Sequence, residues 1–80
     1  MQKTITVTVI LNGWFQKYFQ DGNKKIIRLP EKSVVKDIIE NFSLPDNMIG
    51  IIAINGVNAS KHQQLRDQDC ISIYPMVEGG

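Results

Sequence analysis

The segment Lys3 to Leu11 alternates between two faces. Ile5, Val7, Val9 and Leu11 fall on one face, and Thr4, Thr6 and Thr8 on the other. A period of two, with β-branched residues on both sides, specifies a strand buried on one face. In a chain of 80 residues this is a strong constraint. Such a strand needs partner strands and a separate layer to cover its apolar side.

The remaining segments supply both. Asn12-Gly13 and Asp21-Gly22-Asn23 are turn signals. Between them lie Trp14, Phe15, Tyr18 and Phe19, which are four of the six aromatic residues. Trp14 and Tyr18, and Phe15 and Phe19, stand four apart, so one helical turn would stack them in pairs. Such a cluster suits the open end of a small core, and a docking surface is the competing use. Lys25 to Leu29 is expected to pair with the first strand as a hairpin, and Pro30 to end it. Ser33 is the expected N-cap of a helix whose apolar stripe is Val35, Ile38, Ile39 and Phe42. The helix should stop before Pro45. Ile49 to Ile54 is expected to be a strand covered on both faces or nearly so. Asn55-Gly56 is a tight hairpin turn and Val57 to Ser60 a short return strand. Leu65 is expected to plug the core from a polar loop. Cys70 to Tyr74 is the last strand, with Ile71 and Ile73 on its inner face and Tyr74 on the opposite one. Pro75 is expected to end it. These elements predict one α+β domain over residues 1–75, with a single helix on one face of the sheet and a tail over 76–80.

Several functions are disfavoured on composition. A formal net charge of +1, with Lys24-Lys25 as the largest basic pair, argues against nucleic-acid binding by electrostatics. The single Cys70 cannot form an internal disulfide, nor supply a cysteine-ligated metal or iron–sulfur site from this chain. The amino terminus lacks the apolar block of a signal peptide, and no stretch reaches the ~18 apolar residues of a membrane span. The expectation is a cytoplasmic protein with no bound cofactor, nucleic acid or membrane partner. Nothing assembles into an obvious reaction centre either. His62 lies in a polar loop, Cys70 has no evident base beside it, and Asp21, Asp46, Asp67 and Asp69 read as turn residues.

Four stretches carry a family resemblance. They are Leu29-Pro30-Glu31-Lys32-Ser33-Val34-Val35-Lys36-Asp37-Ile38-Ile39, Ile54-Asn55-Gly56, Leu65-Arg66-Asp67-Gln68-Asp69, and the ending Ile73-Tyr74-Pro75-Met76-Val77-Glu78-Gly79-Gly80. Together they resemble the ubiquitin-like β-grasp sulfur carriers of the MoaD/ThiS type, the small subunit of molybdopterin synthase and the thiamin-pathway carrier. The resemblance implies a mixed sheet of four to five strands with one main helix packed on one face. One departure is Gln68, where the family usually has glycine. If that position needs a positive φ, glutamine costs about 1 kcal/mol there.

The resemblance also implies a chemistry. A ubiquitin-activating-type enzyme uses ATP to adenylate the carboxylate of Gly80, and sulfur from a donor enzyme replaces AMP. The resulting thiocarboxylate gives its sulfur to a synthase subunit in molybdopterin, tungstopterin or thiamin synthesis. The chain is then a carrier rather than an enzyme. Gly79 and Gly80 suit this work because a backbone without side chains threads a narrow site. Tyr74, Pro75, Met76, Val77 and Glu78 are the expected partner-binding residues. Pro75 would release the tail from the sheet, and the domain would supply binding energy remote from the reacting atom. Two alternatives share these residues: a protein modifier joined through Gly80 to lysines, and a non-covalent β-grasp interaction module.

Overall fold

The computed structural model describes residues 3–76. The first strand, β1 (Thr4–Leu11), pairs antiparallel with β2 (Lys24–Pro30). The helix α1 (Val35–Asn41) follows, then β3 (Ile49–Ile54), β4 (Val57–Asn58) and β5 (Cys70–Pro75). The sheet order is β2-β1-β5-β3-β4. β5 runs parallel to β1 and antiparallel to β3, so the sheet is mixed. One main helix lies on five strands, as a β-grasp requires.

The predicted faces hold. Ile5, Val7, Val9 and Leu11 are buried, and so are Ile71 and Ile73 on β5. Val35, Ile38 and Ile39 of α1 complete the core, and Leu65 enters it from its loop. Asn55 and Gly56, at φ +52° and +83°, form the expected hairpin turn.

Local details differ from expectation at four places, each for a physical reason. Ser33 is not the helix cap. Its hydroxyl donates to the Pro30 carbonyl at 2.6 Å and closes a turn through Lys32, at φ +75°. The cap is Val34, which has no acceptor side chain. Its N–H instead donates to the Asp37 carboxylate at 2.8 Å, and the Asp37 N–H returns a bond to the Val34 carbonyl at 3.0 Å. The aromatic segment Gly13–Tyr18 is a 3-10 helix, not a turn of α-helix. With three residues per turn, residues three apart share a side. Phe15 therefore meets Tyr18 edge-on at 6.0 Å, and Phe19 turns to Phe42 at 4.9 Å. Phe15 and Phe19 are buried, as a core cap should be.

β3 is not covered on both faces. Ile52 is buried, but Ile51 is exposed, because nothing among the described residues lies over the sheet face away from α1. Nor does Pro75 end the pairing. It lies in β5 opposite Ile49, and the next residue still bonds, with the Met76 N–H donating to the Met48 carbonyl at 2.6 Å. The register shifts by one residue between Ile49 and Ile51, which makes Gly50 a β-bulge. The donor that Pro75 lacks is thus taken over by Met76. The helix stops before Pro45, as expected. Ser43, at φ +54°, and Leu44 bond back to the Glu40 and Ile39 carbonyls at 3.1 and 3.0 Å.

Candidate functional site

β5 sits in the middle of the sheet, and the chain continues from it to residues 77–80. Strand alternation divides its side chains. Ile71 and Ile73 enter the core, while Cys70, Ser72 and Tyr74 face the open side. Tyr74 is directly opposite Ile51 of β3, and the two keep 41 % and 53 % of their surface exposed. An aromatic and a β-branched residue in register form a favourable cross-strand pair. Here the pair also leaves an apolar patch at the tail end of the sheet. Met76 is exposed beside it in sequence, and Trp14 is exposed on the 3-10 helix. Lys17 places its Nζ 5.2 Å from the Trp14 ring centre and 5.9 Å from that of Tyr18.

Two glycines flank the point of departure. A Cβ added at Gly13 would stand 3.0 Å from Pro75 Cγ. A Cβ added at Gly50 would stand 3.0 Å from Met76 Cα and 3.1 Å from the Pro75 carbonyl oxygen. Pro75 and Met76 therefore pass closely between the start of the 3-10 helix and the bulge of β3. Gly13 also takes φ +57°, a conformation open to it without a side-chain clash.

Tyr74, Pro75 and Met76 are thus brought together at one end of β5. Val77, Glu78, Gly79 and Gly80 lie outside the described residues. The sequence did not single out Ile51, Gly50 or Gly13 as part of this site. A glycine interrupting the apolar run Ile49 to Ile54 was a usable bulge signal.

Three of the turn aspartates have structural work. Asp67 accepts the Thr6 N–H at 2.7 Å. Asp69 accepts the Arg66 N–H at 2.8 Å and the Asn55 side-chain amide at 2.9 Å. Asn55 in turn accepts the Cys70 N–H at 2.9 Å. Asp46 pairs with Lys61 at 3.0 Å across two exposed side chains. His62 is exposed in its loop. Among the described residues, no group of three His, Cys, Asp or Glu side chains could hold a metal. No helix among them is long and apolar enough to cross a membrane.

A family model described as Mut7-C ubiquitin matches residues 4–79. No curated protein matches in sequence. Among solved structures, the chain is similar to a Pyrococcus furiosus protein provisionally described as molybdopterin converting factor, subunit 1. The identity is 25 % and the TM-score 0.73, with 91 % of this chain and 99 % of that one covered. It is similar in fold to the HVO 2177 protein of Haloferax volcanii, at 17 % identity and TM-score 0.79, covering 96 % and 88 %. Small archaeal modifier protein 1 of H. volcanii shares the fold at 13 % identity and TM-score 0.74, covering 91 % and 99 %.

Proposed function

This chain belongs to the Mut7-C ubiquitin family, among the ubiquitin-like β-grasp proteins, and from that premise we propose that it is a sulfur carrier whose working group is the carboxylate of Gly80. A partner enzyme would adenylate it. A carboxylate oxygen attacks the α-phosphate of ATP, pyrophosphate leaves, and the acyl carbon becomes electrophilic. A sulfide equivalent then adds to that carbon and AMP leaves, giving a thiocarboxylate for a sulfur-accepting synthase of the molybdopterin, tungstopterin or thiamin type. The chain is then a co-substrate in the cytoplasm rather than an enzyme.

The observation that supports this reading best is the design of the exit from β5. The strand leads toward Gly79-Gly80 past an exposed Tyr74–Ile51 pair, with Pro75 and Met76 held between Gly13 and Gly50. A partner that grips Tyr74, Met76 and the residues after them gains binding energy away from the reacting atom and spends it on orienting the carboxylate. Apolar and aromatic residues in such a patch are the usual interface anchors.

The test is the intact mass of the chain recovered from its own cells, and again after incubation with an activating enzyme, ATP and a sulfur donor. The expected product is heavier by the replacement of one oxygen with sulfur, and the change should map to Gly80. A chain found only joined to lysines of other proteins would favour the modifier reading. Unchanged mass, with full function after deletion of Gly79-Gly80, would leave a non-covalent interaction module.

A further inference from the structure

The sheet has a second feature with unused bonding capacity, at the opposite edge from β4. β2 is an edge strand, paired with β1 alone. In this register the Leu11 N–H bonds the Asn23 carbonyl at 2.8 Å and the Glu31 N–H bonds the Lys3 carbonyl at 2.9 Å. Both are odd-numbered pairs, so the bonded pairs throughout the ladder are the odd ones. The N–H and C=O groups of Lys24, Ile26 and Arg28 must therefore point away from β1, along the free edge. Pro30 closes one end of that edge, because it has no N–H and its carbonyl accepts from Ser33. What remains is a run of three donors and three acceptors at the spacing of a missing strand.

The side chains on the same three residues share the open face. Lys24, Ile26 and Arg28 stand opposite Ile10, Thr8 and Thr6. Ile26 is 67 % exposed. Lys25 lies on the other side of the strand, its Nζ 5.5 Å from the Phe19 ring centre. Among the described residues, the ion pairs are Lys36–Glu40 and Lys61–Asp46, so Lys24, Lys25 and Arg28 form no close ion pair there, although Asp21 lines the same depression as Lys24 and Lys25.

We propose that the β2 edge takes up an acidic extended peptide as a sixth strand, with an apolar residue opposite Ile26 and carboxylates opposite Lys24 and Arg28. The charge pattern selects this occupant. A second copy of the chain, pairing antiparallel about Ile26, would set Lys24 against Arg28, and like charges directly opposite are destabilising. An edge charged solely to prevent aggregation has no use for a largely exposed isoleucine at its centre. An acidic strand gains the backbone bonds, the apolar contact and the charge match together. The site is two strands away from the β5 exit in the sheet order, and its occupation does not depend on the fate of Gly80.

The test is amide exchange on the nitrogen-15-labelled chain, titrated with the peptide acetyl-Ser-Asp-Val-Ile-Val-Asp-Ser-amide. The expected result is slowed exchange at the Lys24, Ile26 and Arg28 amides, with Ile51 and Tyr74 unaffected. The same peptide with both aspartates replaced by lysine should give no protection, and neither should oligouridylate. Lys24→Glu with Arg28→Glu keeps every backbone donor and should weaken binding at least about tenfold. Ile26→Pro should also weaken it, since it removes an outward N–H without removing a β1 bond; if that variant does not fold, the charge pair decides. Unprotected edge amides, equal binding of the lysine peptide, or unchanged binding after charge reversal would overturn the proposal. So would oligouridylate protecting these same amides, or a dimer of the free chain that already shields them.

Discussion

The two faces of the central sheet are made by the same alternation but finished differently. On the helix side, Val9, Leu11, Ile71 and Ile73 have 0 % of their surface exposed, and Phe15 closes the end of the layer. On the other side, the same strands present threonines along β1, and beyond them Ser72, Tyr74 and Ile51. The first face carries stability. The second is largely polar, with exposed apolar residues at Ile26 on the β2 edge and at Tyr74 and Ile51 where β5 ends. A small domain with one covered face cannot bury much more. In the proposed function, the Tyr74–Ile51 pair on the open face is the surface offered to the activating partner.

Substitutions should separate the two faces clearly. The largest effect is expected from Phe15→Ala, which empties a fully buried ring site against Trp14 and Tyr18. It should cost about 3–5 kcal/mol in urea unfolding, a large share of the stability of a small domain. Gly50→Ala acts at the seam between the faces. Its new Cβ would stand 3.0 Å from backbone, so Pro75 and Met76 must give by a few tenths of an ångström, which loosens the Met76 bond to the Met48 carbonyl. A loss of about 1–3 kcal/mol is expected, with faster exchange at the Met76 amide as the identifying signal. Gln68→Gly touches neither face. Gln68 holds φ +71°, so glycine there should raise stability by about 1 kcal/mol. Tyr74→Ala should be the mildest in folding, about 0.5 kcal/mol from the lost cross-strand contact. If Tyr74→Ala unfolds the domain as Phe15→Ala does, the contrast between faces is wrong.

How far the sequence reached can be seen residue by residue. The period of two in Lys3 to Leu11, and the stripe Val35, Ile38, Ile39 and Phe42, gave the strand, the helix and their inner faces, because burial acts on pattern. Tyr74 was placed on the correct face by the same rule. Gln68 was identified as the residue that sits where glycine is usual, and its positive φ agrees. What pattern does not encode is pairing register. Gly50 becomes a bulge, and Met76 a bonded residue, only once β3 and β5 are set side by side. The helix cap was missed for a related reason. It is created by a reciprocal bond from Asp37, while Ser33 is engaged one residue earlier. In the segment Trp14 to Phe19, a short run of aromatics did not distinguish 3-10 from α-helical spacing. Of the proposed site, the structure describes Tyr74, Pro75 and Met76, while Gly79-Gly80 lies outside the described residues and rests on its motif.

The most direct measurement of the central claim is ATP–pyrophosphate exchange by a ubiquitin-activating-type enzyme from the same cells, with the intact chain, the chain lacking Gly79-Gly80, and Tyr74→Ala as carriers. The intact chain should support exchange and the deleted chain should not. Tyr74→Ala should support it only at higher carrier concentration, while remaining folded. Equal exchange with and without Gly79-Gly80, or none with the intact chain, would contradict the account.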